Sequence, residues 1–166
     1  RSVSRGLGDV YKRQPMYITV TMKEVDALVA CGVDIVAVQG TGARRPDGSS
    51  APEFIRAVKE KYPQQLVMAD CATLEEGIAC AEAGADFVGT TMRGYTPETK
   101  GCDDIDYAFI HELSEKCPAK IIAEGHIHYP EQAKKALEAG AFALVVGGAI
   151  TRPAEITSRF VSAIRK

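Results

Sequence analysis

No stretch of this chain approaches the roughly 18 consecutive apolar residues that a membrane span needs. The N-terminus also lacks the hydrophobic segment that a secretory signal carries. Charge of one sign is missing too: 20 Lys and Arg face 22 Asp and Glu, a net charge of −2, which leaves no footprint for nucleic acid. The five cysteines, Cys31, Cys71, Cys80, Cys102 and Cys117, form no Cys-x-x-Cys pair, and their number is odd. They are expected to be small buried hydrophobes in a reducing cytoplasm, not disulfide or metal partners. Neither a P-loop (Gly-x-x-x-x-Gly-Lys-Ser/Thr) nor a Gly-x-Gly-x-x-Gly dinucleotide fingerprint occurs. These absences point to a cytoplasmic protein with no membrane or nucleic-acid partner, no metal and no cofactor.

What is present suits one domain with a real core: 166 residues, 46% hydrophobic and 25% charged. Residues 1–14 stand apart. Four of the chain's twenty basic residues lie there against a single acid, Asp9, with neither helical nor strand periodicity. This segment is expected to be foreign or disordered sequence, and 15–166 the C-terminal part of a (β/α) barrel domain. A native basic arm is the alternative.

From Tyr17 the pattern becomes regular. Helices are expected over Met22–Cys31, Pro52–Lys61, Thr73–Ala83, Asp104–Cys117, Pro130–Ala139 and Pro153–Arg165. Thr21-Met-Lys-Glu24 and Thr73-Leu-Glu-Glu76 are capping boxes. Strands are expected over Val33–Val38, Leu66–Ala69, Asp86–Gly89, Lys120–Ala123 and Ala141–Val146, with long polar loops over Gln39–Ser50 and Thr90–Asp103. Strict alternation means βαβ units and a parallel sheet, read here as covered on both faces.

An internal repeat sharpens this. Lys61-x-Pro63, Leu-Val-Met-Ala-Asp70 and Ala-Gly84-Ala match Lys116-x-Pro118, Ile-Ile-Ala-Glu124 and Ala-Gly140-Ala, at offsets of 55, 54 and 56 residues. Two βα units fit each repeat, as in a (β/α) barrel, whereas a doubly wound open sheet has less reason to repeat so. Ala-Gly-Ala marks a helix end with Gly in the left-handed region. Five strands fall short of the barrel's eight, and barrels typically need about 250 residues. The expectation is therefore a partial barrel of about five βα units, truncated at its N-terminus. Exposed sheet edges would then favour self-association, and homo-oligomerisation stays open.

The working face of a parallel barrel lies at the strand C-termini. Asp70 and Glu124 end apolar runs at equivalent repeat positions, where a carboxyl with a raised pKa moves protons on a sugar hydroxyl or ring oxygen. The run Ala143-Leu-Val-Val-Gly147-Gly148-Ala-Ile-Thr151-Arg152-Pro153 ends in a diglycine that lets backbone approach a ligand. A helix start at Pro153 and the Arg152 fork suit an anion. Phosphate grips in barrels often use the loops after the last two strands, which begin here at Gly125 and Gly147. Glu124-Gly-His126-Ile-His128 puts two histidines on one face if extended; His126 is expected to line the pocket and His128 to cap the next helix. His111 belongs to a helix as a structural or exposed residue. Arg44, Arg45 and Arg93 lie on loops from which they could touch substrate.

The motifs Tyr17-Ile-Thr-Val-Thr-Met-Lys-Glu-Val, Met68-Ala-Asp70-x-x-Thr-Leu-Glu-Glu-Gly77, Thr90-Thr-x-x-Gly-Tyr-Thr-Pro97, Ala123-Glu-Gly-x-Ile127 and Val146-Gly-Gly-Ala-Ile-Thr-Arg-Pro153 resemble N-acetylmannosamine-6-phosphate 2-epimerases across about residues 16–166. The resemblance implies a (β/α)8 barrel that interconverts N-acetylmannosamine 6-phosphate and N-acetylglucosamine 6-phosphate in sialic-acid catabolism. By position it makes Glu124 the residue that opens and closes the sugar ring, and Asp70 a substrate contact; Arg45 and Arg93 join Asp70 as candidate substrate-binding residues on their loop positions alone. Gly125, Gly147, Gly148, Thr151 and Arg152 would hold the phosphate. The family's proton-transferring Lys has no match; Lys12 lies in the foreign-looking segment and Lys23 in a helix. Gln39 and Ala43 also depart from the family's usual Asp and basic residue. The implied function is C2 epimerisation, with this chain alone expected to be inactive. Another phosphate-binding barrel isomerase and a non-catalytic sugar-phosphate-binding module are the alternatives.

Overall fold

The computed structural model describes residues 18–165. The expectations for residues 1–14, for Tyr17 and for Lys12 lie outside the described residues. The chain alternates α1 (Met22–Ala30), β1 (Ile35–Gln39), α2 (Ala51–Lys61), β2 (Leu66–Asp70), α3 (Leu74–Glu82), β3 (Phe87–Gly89), α4 (Tyr107–Lys116), β4 (Lys120–Glu124), α5 (Pro130–Glu138), β5 (Ala143–Val145), α6 (Gly148–Thr151) and α7 (Pro153–Ile164). None of the described helices is long and apolar enough to cross a membrane.

Local chemistry sets the helix starts. Thr73 Oγ1 accepts the Glu76 N–H at 3.3 Å, while Glu76 Oε2 accepts the N–H groups of Ala72 at 2.9 Å and Thr73 at 3.1 Å. Ser50 and Glu53 repeat the device on α2, with Pro52 in the first turn. Asp106 accepts the Phe109 N–H at 2.9 Å, so α4 begins at Tyr107, three residues later than the sequence pattern suggests. Gly84 (φ +109°) and Gly140 (φ +107°) end the equivalent helices of the repeat in the left-handed region, as expected.

All five strands pair parallel in the order β1-β2-β3-β4-β5. A doubly wound sheet reverses its strand order at a switch point; a sheet that adds strands only in chain order is a barrel wall. Burial agrees with that. β1 and β2 share one pattern, in which Val36, Val38, Val67 and Ala69 are fully buried while Ile35 and Leu66 are 42% and 39% exposed. Val36, Val38, Val67, Ala69, Val88 and Ile121 pack with Phe54, Ile55, Val58, Cys80 and Leu113 of the helices. The expectation of a sheet covered on both faces is thereby corrected: the alternate residues form a wall not covered by these helices, as the inner surface of a barrel requires.

The close approach of α3 to α4 and β3 depends on Gly77. A Cβ there would lie 2.8 Å from Leu113 Cδ2 and 3.2 Å from Val88 Cγ1. Leu113 is fully buried in this seam, so Leu113→Ala is expected to lower unfolding free energy by about 3 kcal/mol. Gly77→Ala alone also destabilises, by overpacking, and the pair costs less than the two single effects combined. Urea unfolding of the four proteins checks both statements.

The cysteines divide. Cys71, Cys80 and Cys117 are buried as expected, but Cys31 is exposed at the end of α1 and Cys102 half-buried in the β3–α4 loop. Cys31 follows the last turn of a helix whose buried residue is Val25, one face away from the core contact.

Candidate functional site

Register places the acids. Gln39 pairs with Asp70, Asp70 with Gly89, Gly89 with Ile122 and Glu124 with Val145. Asp70, Gly89, Ile122 and Glu124 thus share one face by strand alternation, and Asp70 and Glu124 are the last residues of their strands. Neither acid caps a helix; capping falls to Thr73 with Glu76 and to Tyr129 with Gln132.

Asp70 is 3% exposed, and Thr91 Oγ1 donates to its Oδ1 at 2.6 Å. Burial raises the Asp70 pKa to about 7, against the Thr91 bond and helped by the nearby Glu124 charge. Glu124 is half-buried; burial raises its pKa as well, again opposed by the Thr91 hydroxyl. A Cβ on Gly89 would lie 2.5 Å from Asp70 Oδ1, so the strand between the acids needs glycine at that level. Thr90 ties that strand to the next: its hydroxyl accepts the Glu124 N–H at 3.0 Å and donates to the Glu124 carbonyl at 2.8 Å.

The phosphate candidates leave the same end of the sheet. Gly125 (φ +99°) follows β4, and Gly147 comes two residues after β5. The diglycine does not lead directly into the Pro153 helix, as expected from sequence, but into the single turn α6. Arg152, held at φ −115°, ψ 94° before Pro153, separates the two helices, since a residue preceding proline is disfavoured in the helical region. The free N–H groups at the corner are therefore those of Gly148 and Ala149. Thr151 Oγ1 donates to the Gly147 carbonyl at 3.1 Å, and Arg152 pairs with Glu155 at 2.7 Å with its side chain 69% exposed.

The predicted loop arginines are held by the protein itself. Arg45 is buried; its guanidinium donates to the carbonyls of Thr19 and Val20 (3.1 Å each) and Gln39 (2.8 Å), and lies 3.8 Å from the Phe54 ring centre. Burial lowers its pKa to about 10. Arg93 is engaged by Asp106 through Nε (3.1 Å) and Nη2 (2.7 Å), and by the Ala72 carbonyl through Nη1 (3.2 Å). Arg44 pairs with Glu53 at the surface. Arg45 is thus a clamp on the segment before α1, and Arg93 a wall of the mouth.

His126 and His128 do not share a face, because Gly125 and His126 (φ +58°) turn the chain instead of extending it. His126 stacks on Tyr95 with ring centres 5.7 Å apart and lines, with Thr90, Arg93, Glu124 and Gly125, a pocket of about 10 Å³, room for roughly one water. Its expected place beside the mouth is the one found. His128 is exposed, and only its backbone N–H takes part in capping, donating to Gln132 Oε1 at 2.7 Å. His111 is exposed on α4. Thr91 and Gly89 were not singled out by sequence, although Thr91 lies within the Thr-Thr-x-x-Gly-Tyr-Thr-Pro motif.

A parallel wall with strands in chain order, paired acids at its C-terminal edge and a diglycine corner alongside defines a (β/α)-barrel domain whose working face is that edge. The family model described as "Putative N-acetylmannosamine-6-phosphate epimerase" matches residues 7–166, and the chain belongs to this family of carbohydrate isomerases. It is 50% identical over 156 residues to a "Putative N-acetylmannosamine-6-phosphate 2-epimerase" of Caldanaerobacter subterraneus subsp. tengcongensis, covering 94% of this chain and 66% of that protein. A relative of the same description from Pediococcus pentosaceus is 45% identical, covering 93% and 69%. Among solved structures, the N-acetylmannosamine-6-phosphate 2-epimerase from Clostridium perfringens aligns with a TM-score of 0.82 at 43% identity, over 93% of this chain and 66% of that one. The chain spans about two thirds of the length of these relatives.

Proposed function

We propose that this chain carries the sugar-phosphate mouth of an N-acetylhexosamine 6-phosphate 2-epimerase of amino-sugar catabolism, acting in the cytoplasm. The observation that carries the reading is the pair Asp70 and Glu124, the last residues of β2 and β4 on one face of the sheet, both with raised pKa values, at the same sheet edge as the Gly147–Arg152 corner. Glu124 opens and closes the hemiacetal, and Asp70 holds a sugar hydroxyl. Gly125, Gly147, Gly148, Thr151 and Arg152 take the 6-phosphate through backbone N–H groups, a hydroxyl and a guanidinium.

Opening the ring moves the O1 hydroxyl proton away and delivers a proton to the ring oxygen, leaving a C1 aldehyde. The aldehyde acidifies the C2–H; a base removes that proton, and its return on the opposite face inverts C2. No described lysine hydrogen-bonds or ion-pairs with Asp70 or Glu124. The chain by itself is therefore expected to bind the sugar phosphate and open its ring without epimerising it.

Calorimetric titration with N-acetylglucosamine 6-phosphate tests the reading. Binding is expected, and Arg152→Ala weakens it about 10-fold by removing a charge-assisted phosphate contact. No binding by the unmodified chain would sink the proposal.

A further inference from the structure

Resting on the reading that Glu124 opens the sugar ring, we propose that Thr90 is the positioning residue for that acid. Its hydroxyl stands in for strand backbone beside Glu124 and fixes this residue where β3 and β4 part. In a parallel ladder a residue turns its N–H and its carbonyl toward the same neighbouring strand. The β3 chain serves β4 in this way as far as Ile122, whose carbonyl accepts the Thr90 N–H at 3.1 Å. One step further, the regular partners of Glu124 would be the Thr90 carbonyl and the Met92 N–H.

Both are engaged elsewhere. The Thr90 carbonyl accepts the Arg93 N–H at 3.1 Å, and the Met92 N–H donates to the Cys71 carbonyl at 3.2 Å. The chain after β3 thus leans toward β2, where the Cys71 N–H already donates to the Gly89 carbonyl at 2.9 Å. The N–H and carbonyl of Glu124 are left facing the place where the strands splay. Thr90 Oγ1 meets them both, accepting from the N–H at 3.0 Å and donating to the carbonyl at 2.8 Å. A hydroxyl can do this because it has one hydrogen and lone pairs besides.

Glu124 has special need of such a hold. It is the last residue of β4, and its register partner Val145 is the last of β5. Gly125 (φ +99°) and His126 (φ +58°) turn the chain away directly after it. One anchor on each side of the Glu124 Cα sets the rotation of its backbone and with it the direction of its Cβ. Thr90 is 5% exposed, so water does not compete for either bond. The splay also leaves open the water-sized pocket that Thr90, Glu124, Gly125 and His126 line. The next residue serves the other acid: the Thr91 hydroxyl donates to Asp70 Oδ1 at 2.6 Å. Successive threonines therefore hold the two acids by different means, one through the backbone and one through the carboxyl.

Thr90→Val keeps the shape of the side chain and removes both bonds, so two buried backbone groups must find other partners. A displacement of about 1 Å at a reacting group can cost about 100-fold in rate. The test compares Thr90→Val, Thr90→Ser, Glu124→Gln and the Thr90→Val/Glu124→Gln pair with the unmodified chain. Thr90→Val is expected to speed hydrogen exchange of the Glu124 amide at least about 10-fold. It is also expected to slow anomer exchange of N-acetylglucosamine 6-phosphate at least about 10-fold, with affinity kept within about threefold. Thr90→Ser restores both readings. Added to Glu124→Gln, Thr90→Val lowers anomer exchange by less than about twofold, because the group it positions is already disabled.

Unchanged anomer exchange in folded Thr90→Val overturns the proposal. A full further loss on top of Glu124→Gln also overturns it, since the hydroxyl would then serve the fold at large. Thr90→Ala gives the same readings where Thr90→Val does not fold. Failure of the unmodified chain to bind the sugar phosphate, or exchange unmoved by Glu124→Gln, overturns the functional reading instead. Hydrogen exchange of the Glu124 amide then still judges whether Thr90 holds this residue.

Discussion

Glu124→Gln is expected to slow exchange between the α and β anomers of N-acetylglucosamine 6-phosphate by at least about 100-fold relative to the unmodified chain. Saturation transfer between the anomeric protons measures this directly. The amide keeps the shape and the half-buried place of Glu124 at the end of β4, together with its backbone bonds to Thr90, but it cannot take or give the proton that opening requires. Affinity for the sugar phosphate is expected to change less than about threefold, because the proposed phosphate contacts lie on the Gly125 and Gly147 loops. A sugar-phosphate-binding module would show no such split, since Glu124 would have no chemistry to lose. Equal exchange in both proteins would remove the assignment of ring opening to this residue.

Asp70→Asn is expected to change stability in a way that depends on pH. Asp70 has a folded-state pKa of about 7 against an ordinary 3.8. A carboxyl raised on folding contributes stability that is fully present below its unfolded value and is lost as pH rises through the folded one. The native protein is therefore expected to weaken between about pH 4 and pH 7, where Asp70 must ionise within the sheet edge. An asparagine in its place carries no charge and escapes that loss. The stability difference between the two proteins shifts by up to about 4 kcal/mol in favour of the variant between pH 4 and pH 8. Urea midpoints at the two pH values give the number. A difference that does not move with pH would mean that Asp70 is solvated after all. A buried acid that weakens the fold at neutral pH is the kind of cost that functional sites retain.

The architecture was largely legible because its signals are local and repeated. Thr73-x-x-Glu76 announces a helix start, Gly84 and Gly140 announce helix ends, and the 54-residue offset between Asp70 and Glu124 fits alternate strands of a sequentially ordered wall. Features set by contacts between distant strands were not legible. Thr91 lies 21 residues from Asp70, and nothing in its own motif distinguishes a hydroxyl that meets a buried acid from one that meets water. The role of Gly89 depends on a side chain from the neighbouring strand. Arg45 is a further case, because a loop arginine reads as a ligand contact and the pattern does not show that its guanidinium lies among backbone carbonyls. At the diglycine corner the helix signal was real, but Pro153 constrains Arg152 and divides the run into two helices.

The shared burial pattern of β1 and β2 and the matching ends of β2 and β4 have a chemical corollary. Copying a module two strands long sets like residues two strands apart along the rim of the wall, so a matched couple of acids arises from repetition itself. What turns such twins into unlike partners is unequal shelter: one copy is sealed from water, the other stands at the opening. Division of labour at this rim is thus a property of the neighbours, and exchanging the shelter of the two acids should exchange their duties.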